Sequence, residues 1–148
     1  MSDVALDYLQ LLRNALANDP AVRNILATNP AFAWNASLAT NLALPAAVNT
    51  TVLSVTPTAS GLWPCRAVLG LAGVTAGSTI LVAISNSSRA TPGVSMGLTL
   101  QAGTAIAVVG FVFAEAGDVI QLQANPSSAM TALGSASPAN STTLLGVN

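Results

Sequence analysis

The sequence predicts a mainly β protein, a two-sheet sandwich or jelly roll preceded by a short α-helical arm. Three observations carry that prediction. After Pro45 apolar and polar residues alternate with period 2 in eight or nine short runs. Clusters of Gly, Ser, Thr and Pro separate those runs at the spacing of a sandwich or jelly roll. Before Pro45 the apolar period is instead that of a helix.

Residues 2–18 carry the first helix signal. Ser2 is placed to cap the N-terminus, Asp3 and Asp7 fall in the first turns, where the helix dipole favours negative charge, and Arg13 falls toward the other end. Ala5, Leu9, Leu12 and Leu16 follow the alternating four-three spacing of a heptad seam, which Val4, Tyr8, Leu11 and Ala15 widen. The stripe fits a helix packed on its own domain, and equally a short parallel bundle or docking arm; fewer than three heptads rarely hold together alone. Asp19-Pro20-Ala21-Val22 recurs ten residues later as Asn29-Pro30-Ala31-Phe32. An Asp or Asn cap followed by Pro at the first helical position predicts a helix over residues 20–28, with Val22, Ile25 and Leu26 on one face, and a single turn over 30–34. Residues 35–45, rich in Ala, Ser, Thr and Asn, are expected to be a linker or an irregular segment. That places the boundary between a helical arm, residues 1–44, and a β domain, residues 45–148.

In the β domain, residues 48–56 alternate and are β-branched. Residues 65–71 put Cys65, Ala67, Leu69 and Leu71 on one face, and residues 79–85 form a nearly continuous apolar strand. Further strands are expected over 94–101, 104–114, 119–124, 130–134 and 142–147. The clearest stretch is 111–124. Phe111 and Phe113 alternate with Val112 and Ala114, and Ile120 and Leu122 alternate with Gln121 and Gln123. Between them Glu115-Ala116-Gly117-Asp118 makes a turn, because Gly accepts positive φ and Asp can bond nearby backbone.

Composition removes most function classes. Only 6% of the 148 residues are charged, against roughly 25% in soluble domains, so Ser, Thr, Asn, Gln or a partner subunit must cover the surface. No apolar window reaches the ~20 residues of a spanning helix without charges or many glycines, and the acidic N-terminus does not resemble an export signal. No membrane association and no secretion by a signal peptide are expected. Arg13, Arg23, Arg66 and Arg89 are scattered singly, without the clustered cations that nucleic-acid binding needs.

Catalysis and cofactors are likewise not expected. With no His and a single Cys65, the common zinc sets, an internal disulfide and the usual nucleophile-and-base pairs are all missing. Cys65 reads as a small buried hydrophobe. Glu115 and Asp118 read as solvated turn residues rather than a catalytic carboxylate pair, and the carboxylates are too few for a calcium site. The Asn-x-Ser/Thr triplets at Asn35, Asn49, Asn86 and Asn140 are expected to be unmodified surface positions. Trp63, after a Gly and at the start of a strand, reads as a cap over the sandwich end; exposed instead, it would stack on a sugar.

The order Phe111-x-Phe113, then Glu115-Ala116-Gly117-Asp118-x-Ile120-x-Leu122-Gln123, a Ser/Asn loop and a last strand over 141–147 resembles the C-terminal half of the C1q and tumour-necrosis-factor jelly rolls. The resemblance implies a ten-strand jelly roll assembled as a homotrimer, with Phe111 and Phe113 as candidates for packing about the three-fold axis; as ordinary core they fit the alternation equally. A small jelly roll with a helical arm and no targeting also resembles the decoration, cement or head-fibre proteins of tailed-bacteriophage capsids. That type implies a virion protein made in the host cytoplasm and placed on the capsid surface. Its partners would be its own copies and the major capsid protein or another virion protein, with Leu9, Leu12, Leu16, Val22, Ile25 and Leu26 docking. The alternative is a carbohydrate- or receptor-binding module of a phage fibre or tail tip, using the loops 87–93 and 126–130 at one outer end. A cytokine-like ligand is a third reading, disfavoured by the missing export signal.

Overall fold

A computed structural model describes residues 34–89, 91–135 and 141–146. The helices expected before residue 30, with Leu9, Leu12, Leu16, Val22, Ile25 and Leu26, lie outside the described residues. The β fold belongs to a compact unit beginning at Ala31. Its strands are β1 (Trp34–Ser37), β2 (Leu42–Leu44), β3 (Thr50–Val55), β4 (Gly61–Ala72), β5 (Thr79–Asn86), β6 (Thr91–Thr99), β7 (Ala105–Ala114), β8 (Ile120–Pro126), β9 (Met130–Ala132) and β10 (Thr143–Gly146). The runs expected after Pro45 are strands, with ends shifted by a few residues. The expected linker over 35–45 is not one: it contributes most of β1 and all of β2, which turn Trp34, Ala36, Leu42 and Leu44 toward the core, with Asn35, Ser37 and Ala43 alternating outward.

The strands pair in nested order: β1 with β10, β3 with β8, β4 with β7, and β5 with β6, all antiparallel. Chain segments progressively nearer the middle thus form a doubled ribbon that turns back at the β5–β6 hairpin. Alternate ribbon segments fall into opposite sheets. The β10–β4 and β8–β5 pairings join them into a six-stranded sheet (β1, β10, β4, β7, with β9 and β2 extending it) and a four-stranded sheet in the order β3-β8-β5-β6. A ribbon wound in this way is a jelly roll. The 111–124 stretch is strand, turn and strand as expected. β7 and β8 do not pair with each other; Glu115 to Asp118 form a corner where the chain leaves one sheet for the other.

Between the sheets lies one core. β4 turns Trp63, Cys65, Ala67, Leu69 and Leu71 inward, β5 contributes Ile80, Val82 and Ile84, and β8 contributes Ile120, Leu122 and Ala124. Each fully buried aliphatic side chain of this kind contributes roughly 1.5–3 kcal/mol. Trp63, near the start of β4, is buried at 3% exposure, and its indole meets that of Trp34 edge-on, ring centroids 6.1 Å apart at 64°. The Trp34 ring occupies the space where Gly146 would carry a Cβ, directly across the β1–β10 pair. Only glycine admits the ring there. Gly110 plays the same part in β7, since a Cβ there would come within 2.6 Å of the Val94 side chain of β6.

Among the described residues the buried polar side chains are few, Asn86, Asp118 and Thr142, while the buried Trp34 indole N–H and Ser128 hydroxyl have no hydrogen-bond partner. Thr142 bridges the gap between β9 and β10 along the edge of β4: its hydroxyl accepts from the Gly70 N–H at 3.2 Å, while the Leu133 N–H donates to the Gly70 carbonyl at 2.9 Å. Cys65, as expected, is a buried hydrophobe whose thiol donates to the Gly110 carbonyl at 3.3 Å; burial pushes its pKa up to about 11.

Gly146→Ala is expected to lower the thermal midpoint measurably. Overpacking of this kind costs about 1–3 kcal/mol, and each kcal/mol is worth roughly 2–4 °C in a chain of this size. Thermal unfolding followed by circular dichroism reads the change, and an unaltered midpoint would show that Trp34 does not rest on Gly146.

Candidate functional site

Two features of the surface stand apart from an ordinary sandwich: the outer face of β4 and β7, and the corner where β7 passes into β8. On the outer face, antiparallel register sets residues side by side. Leu62 lies opposite Phe113, Pro64 opposite Phe111, Arg66 opposite Val109, and Val68 opposite Ala107. β10 continues two of these rows, with Leu145 beside Arg66 and Thr143 beside Val68. Because β7 turns Ile106, Val108, Val112 and Ala114 into the core, strict alternation sends Val109, Phe111 and Phe113 out. Leu62 is 65% exposed, Val109 66%, Phe111 61% and Phe113 46%. The two phenylalanines are therefore not core, and with their neighbours they form one continuous apolar surface. At roughly 200 Å² per aromatic side chain, they alone leave on the order of 200 Å² in water, about a quarter of the ~800 Å² per partner of a standard interface.

A single charge sits in this surface. Arg66 has Pro64 and Val68 as its strand neighbours on the same face, and Val109 and Leu145 across from it. Among the described residues its guanidinium has no hydrogen-bond or ion-pair partner.

The corner is the opposite case, a dense polar knot. Asp118, expected as a solvated turn residue, is buried, and one of its carboxylate oxygens accepts three hydrogen bonds. They come from the Glu115 N–H at 2.9 Å, Asn86 Nδ2 at 2.8 Å and Arg89 Nε at 2.6 Å. Arg89 also pairs through Nη2 with Glu115. Asn86, wholly buried, donates in addition to the Phe113 carbonyl at 3.0 Å and accepts from the Ser88 N–H at 3.1 Å. Gly117, at φ 90°, lets the turn close so that the Asp118 N–H reaches the Glu115 carbonyl. The loop after β5 is thereby tied to the β7–β8 corner. Spacing along the chain brought out the turn; it carried no sign that Asn86 and Arg89, some thirty residues away, would fold onto it.

The Glu115 backbone N–H, then Asn86 and Arg89, hold the Asp118 carboxyl down to about 2 from an ordinary 3.8. A depressed carboxylate stabilises the fold fully above its unfolded value, and that contribution is lost as pH falls through the folded value. Asp118→Asn is expected to lower the thermal midpoint at pH 7 and to flatten its decline between about pH 4 and pH 2. Parallel pH profiles for wild type and variant would exclude Asp118 as the acid-sensitive group.

The geometry bears on the other candidate positions. Trp63 is too deeply buried to stack on a sugar, and Asn86 is buried inside the knot, out of reach of a glycosylating enzyme. The loops at 87–93 and 126–130 do not share an end. Asn86 pairs with Ile120 and Ile80 with Pro126, so the loops leave opposite ends of the β5–β8 pair. An open groove of about 440 Å³ runs along β5, β6 and the end of β8, beside Leu81, Gly97, Asn125 and Pro126, with neither an aromatic nor a charged side chain in its wall. Among the described residues no group of three or more His, Cys, Asp or Glu is placed to hold a metal, and no helix is long and apolar enough to cross a membrane.

No protein-family model matches the chain, and no curated protein matches it in sequence. Solved structures match it in fold. The VP2 subviral particle of infectious bursal disease virus aligns at a TM-score of 0.53 and 10% identity, over 78% of this chain and 32% of that one. Eiger, a tumour necrosis factor from S. frugiperda, aligns at 0.52 and 9% identity, over 79% of this chain and 92% of that one. The chain therefore spans about a third of the viral protein and nearly the whole of the Eiger chain. At such identities the likeness shows the fold alone: this is a jelly-roll protein.

Proposed function

We propose that the protein is a structural, non-enzymatic component of a virus particle, a homotrimer that decorates or cements a tailed-phage capsid or forms part of a head fibre. The observation that carries this reading is the outer face of β4 and β7. A monomer in water gains nothing from an exposed band containing Leu62, Val109, Phe111 and Phe113, and such a patch marks a surface that meets another protein. The occupant that fits is a second copy of the chain. The β domain carries two Arg against one Asp and one Glu, so copies approach without long-range repulsion, and aromatic side chains anchor interfaces. A virus-particle protein with this fold, VP2, lends the particle setting.

Attachment to the particle falls to the N-terminal segment, through Leu9, Leu12, Leu16, Val22, Ile25 and Leu26. Three linked copies multiply a weak individual contact by avidity. The partner in this reading is the major capsid protein or another virion protein, and the protein acts at the capsid surface after synthesis in the host cytoplasm. No nucleic acid, membrane or cofactor takes part.

Light scattering on the intact chain is expected to give the mass of three copies. The double substitution Phe111→Ser with Phe113→Ser is expected to give one copy with an unchanged circular dichroism spectrum, because neither side chain contributes to the core. A trimer that survives both substitutions would place the contact elsewhere. Leu12→Asp, by contrast, is expected to leave the trimer intact and to abolish co-sedimentation with particles; continued co-sedimentation would remove the arm as the anchor.

A further inference from the structure

We propose that Arg66 makes self-association of the β4–β7 face dependent on a bound tetrahedral oxyanion. The inference rests on the proposal that a second copy covers this face, and it concerns what neutralises the one cation that the contact encloses.

Charge within the β domain is scarce enough to account for completely. Residues 34–148 hold four charged side chains: Arg66, Arg89, Glu115 and Asp118. Arg89 engages both carboxylates at once, through Nε to Asp118 and through Nη2 to Glu115. Asp118 is further saturated by Asn86 and by the Glu115 N–H. Asp118 cannot leave the corner without stranding Asn86 and the Glu115 N–H, and the half-exposed Glu115 carboxylate is already paired with Arg89. A copy of the β domain approaching Arg66 therefore brings no unpaired carboxylate side chain to meet it.

The immediate surroundings of Arg66 are no better supplied. Pro64, Val68, Val109 and Leu145, the four residues that frame it, have no side-chain acceptor, and the guanidinium presents five N–H donors in a fixed fork. Covering it with apolar surface strands those donors and removes the water that solvated them, a cost that a buried charge escapes only through a counter-charge with hydrogen bonds. Phosphate and sulfate match the guanidinium fork with two parallel N–H···O bonds. Chloride offers neither the geometry nor the second charge. A solution oxyanion is thus the counter-ion that the β domain does not itself provide.

The test is sedimentation velocity on the intact chain across a dilution series, in chloride and in millimolar phosphate at matched ionic strength and pH. Wild type is expected to dissociate at about tenfold lower concentration in phosphate. Arg66→Met keeps the aliphatic stem and removes the charge. It is expected to associate in chloride at least as tightly as wild type does in phosphate, and to show no phosphate response. Equal dissociation of wild type in the two buffers, with oligomers present in both, would overturn the anion while leaving the self-association reading standing. A phosphate response that persists in Arg66→Met would be salting-out, and would overturn it equally. A single-copy mass for wild type and variant in every buffer would instead defeat self-association, and the anion with it.

Discussion

Everything in this fold depends on β4 being hydrogen-bonded along both edges at once. β7 runs beside it from Gly61 to Gly70, while β10 and then β9 take the other edge from Cys65 to Ala72. Central strands are where backbone pairing is complete, so side-chain alternation is forced. One face must carry Trp63, Cys65, Ala67, Leu69 and Leu71 into the core, and the other must carry Leu62, Pro64, Arg66 and Val68 outward. A slip of one residue would bury Arg66 and expose Leu69. The same alternation, passed through register to β7, is what puts two phenylalanines in water.

Much of this was legible in the chain. The period-2 runs located the strands after Pro45, and Cys65, Ala67, Leu69 and Leu71 were correctly assigned to one face because their outward partners are less apolar. What failed did so for physical reasons. β1 and β2, of four and three residues, are too short to show an alternation; they become strands because β10 and β9 present open edges to them. For Phe111 and Phe113, both phases of the alternation are apolar, so hydropathy alone left the inward face undecided. Asp118 shows a third kind of failure. A turn carboxylate looks solvated until a distant Asn86 and Arg89 arrive, and only the folding of two loops onto one corner supplies them.

The two unusual surfaces are linked by the economy of charge. With so few ionisable groups, gathering three of them into the knot at the corner leaves the rest of the domain to be solubilised by amides and hydroxyls. The outer side of the four-stranded sheet shows how. Gln121 and Gln123 bond to each other at 3.1 Å, and Asn49 donates to Gln123 at 3.3 Å. Neutral polar groups of this kind hold water without setting up a long-range field.

The nested winding also has a consequence in time. Trp34 stands opposite Gly146, over a hundred residues later in the chain, and β4 keeps an open edge until β9 and β10 have been made. During synthesis, which proceeds at roughly 5–20 residues per second, the β5–β6 hairpin is the most local pairing among the described strands, the kind that closes at the smallest cost in loop entropy. The sheet that bears Phe111 and Phe113 closes last. The outer face of β4 and β7 is therefore flanked by an unpaired β4 edge until residues 130–146 have been added.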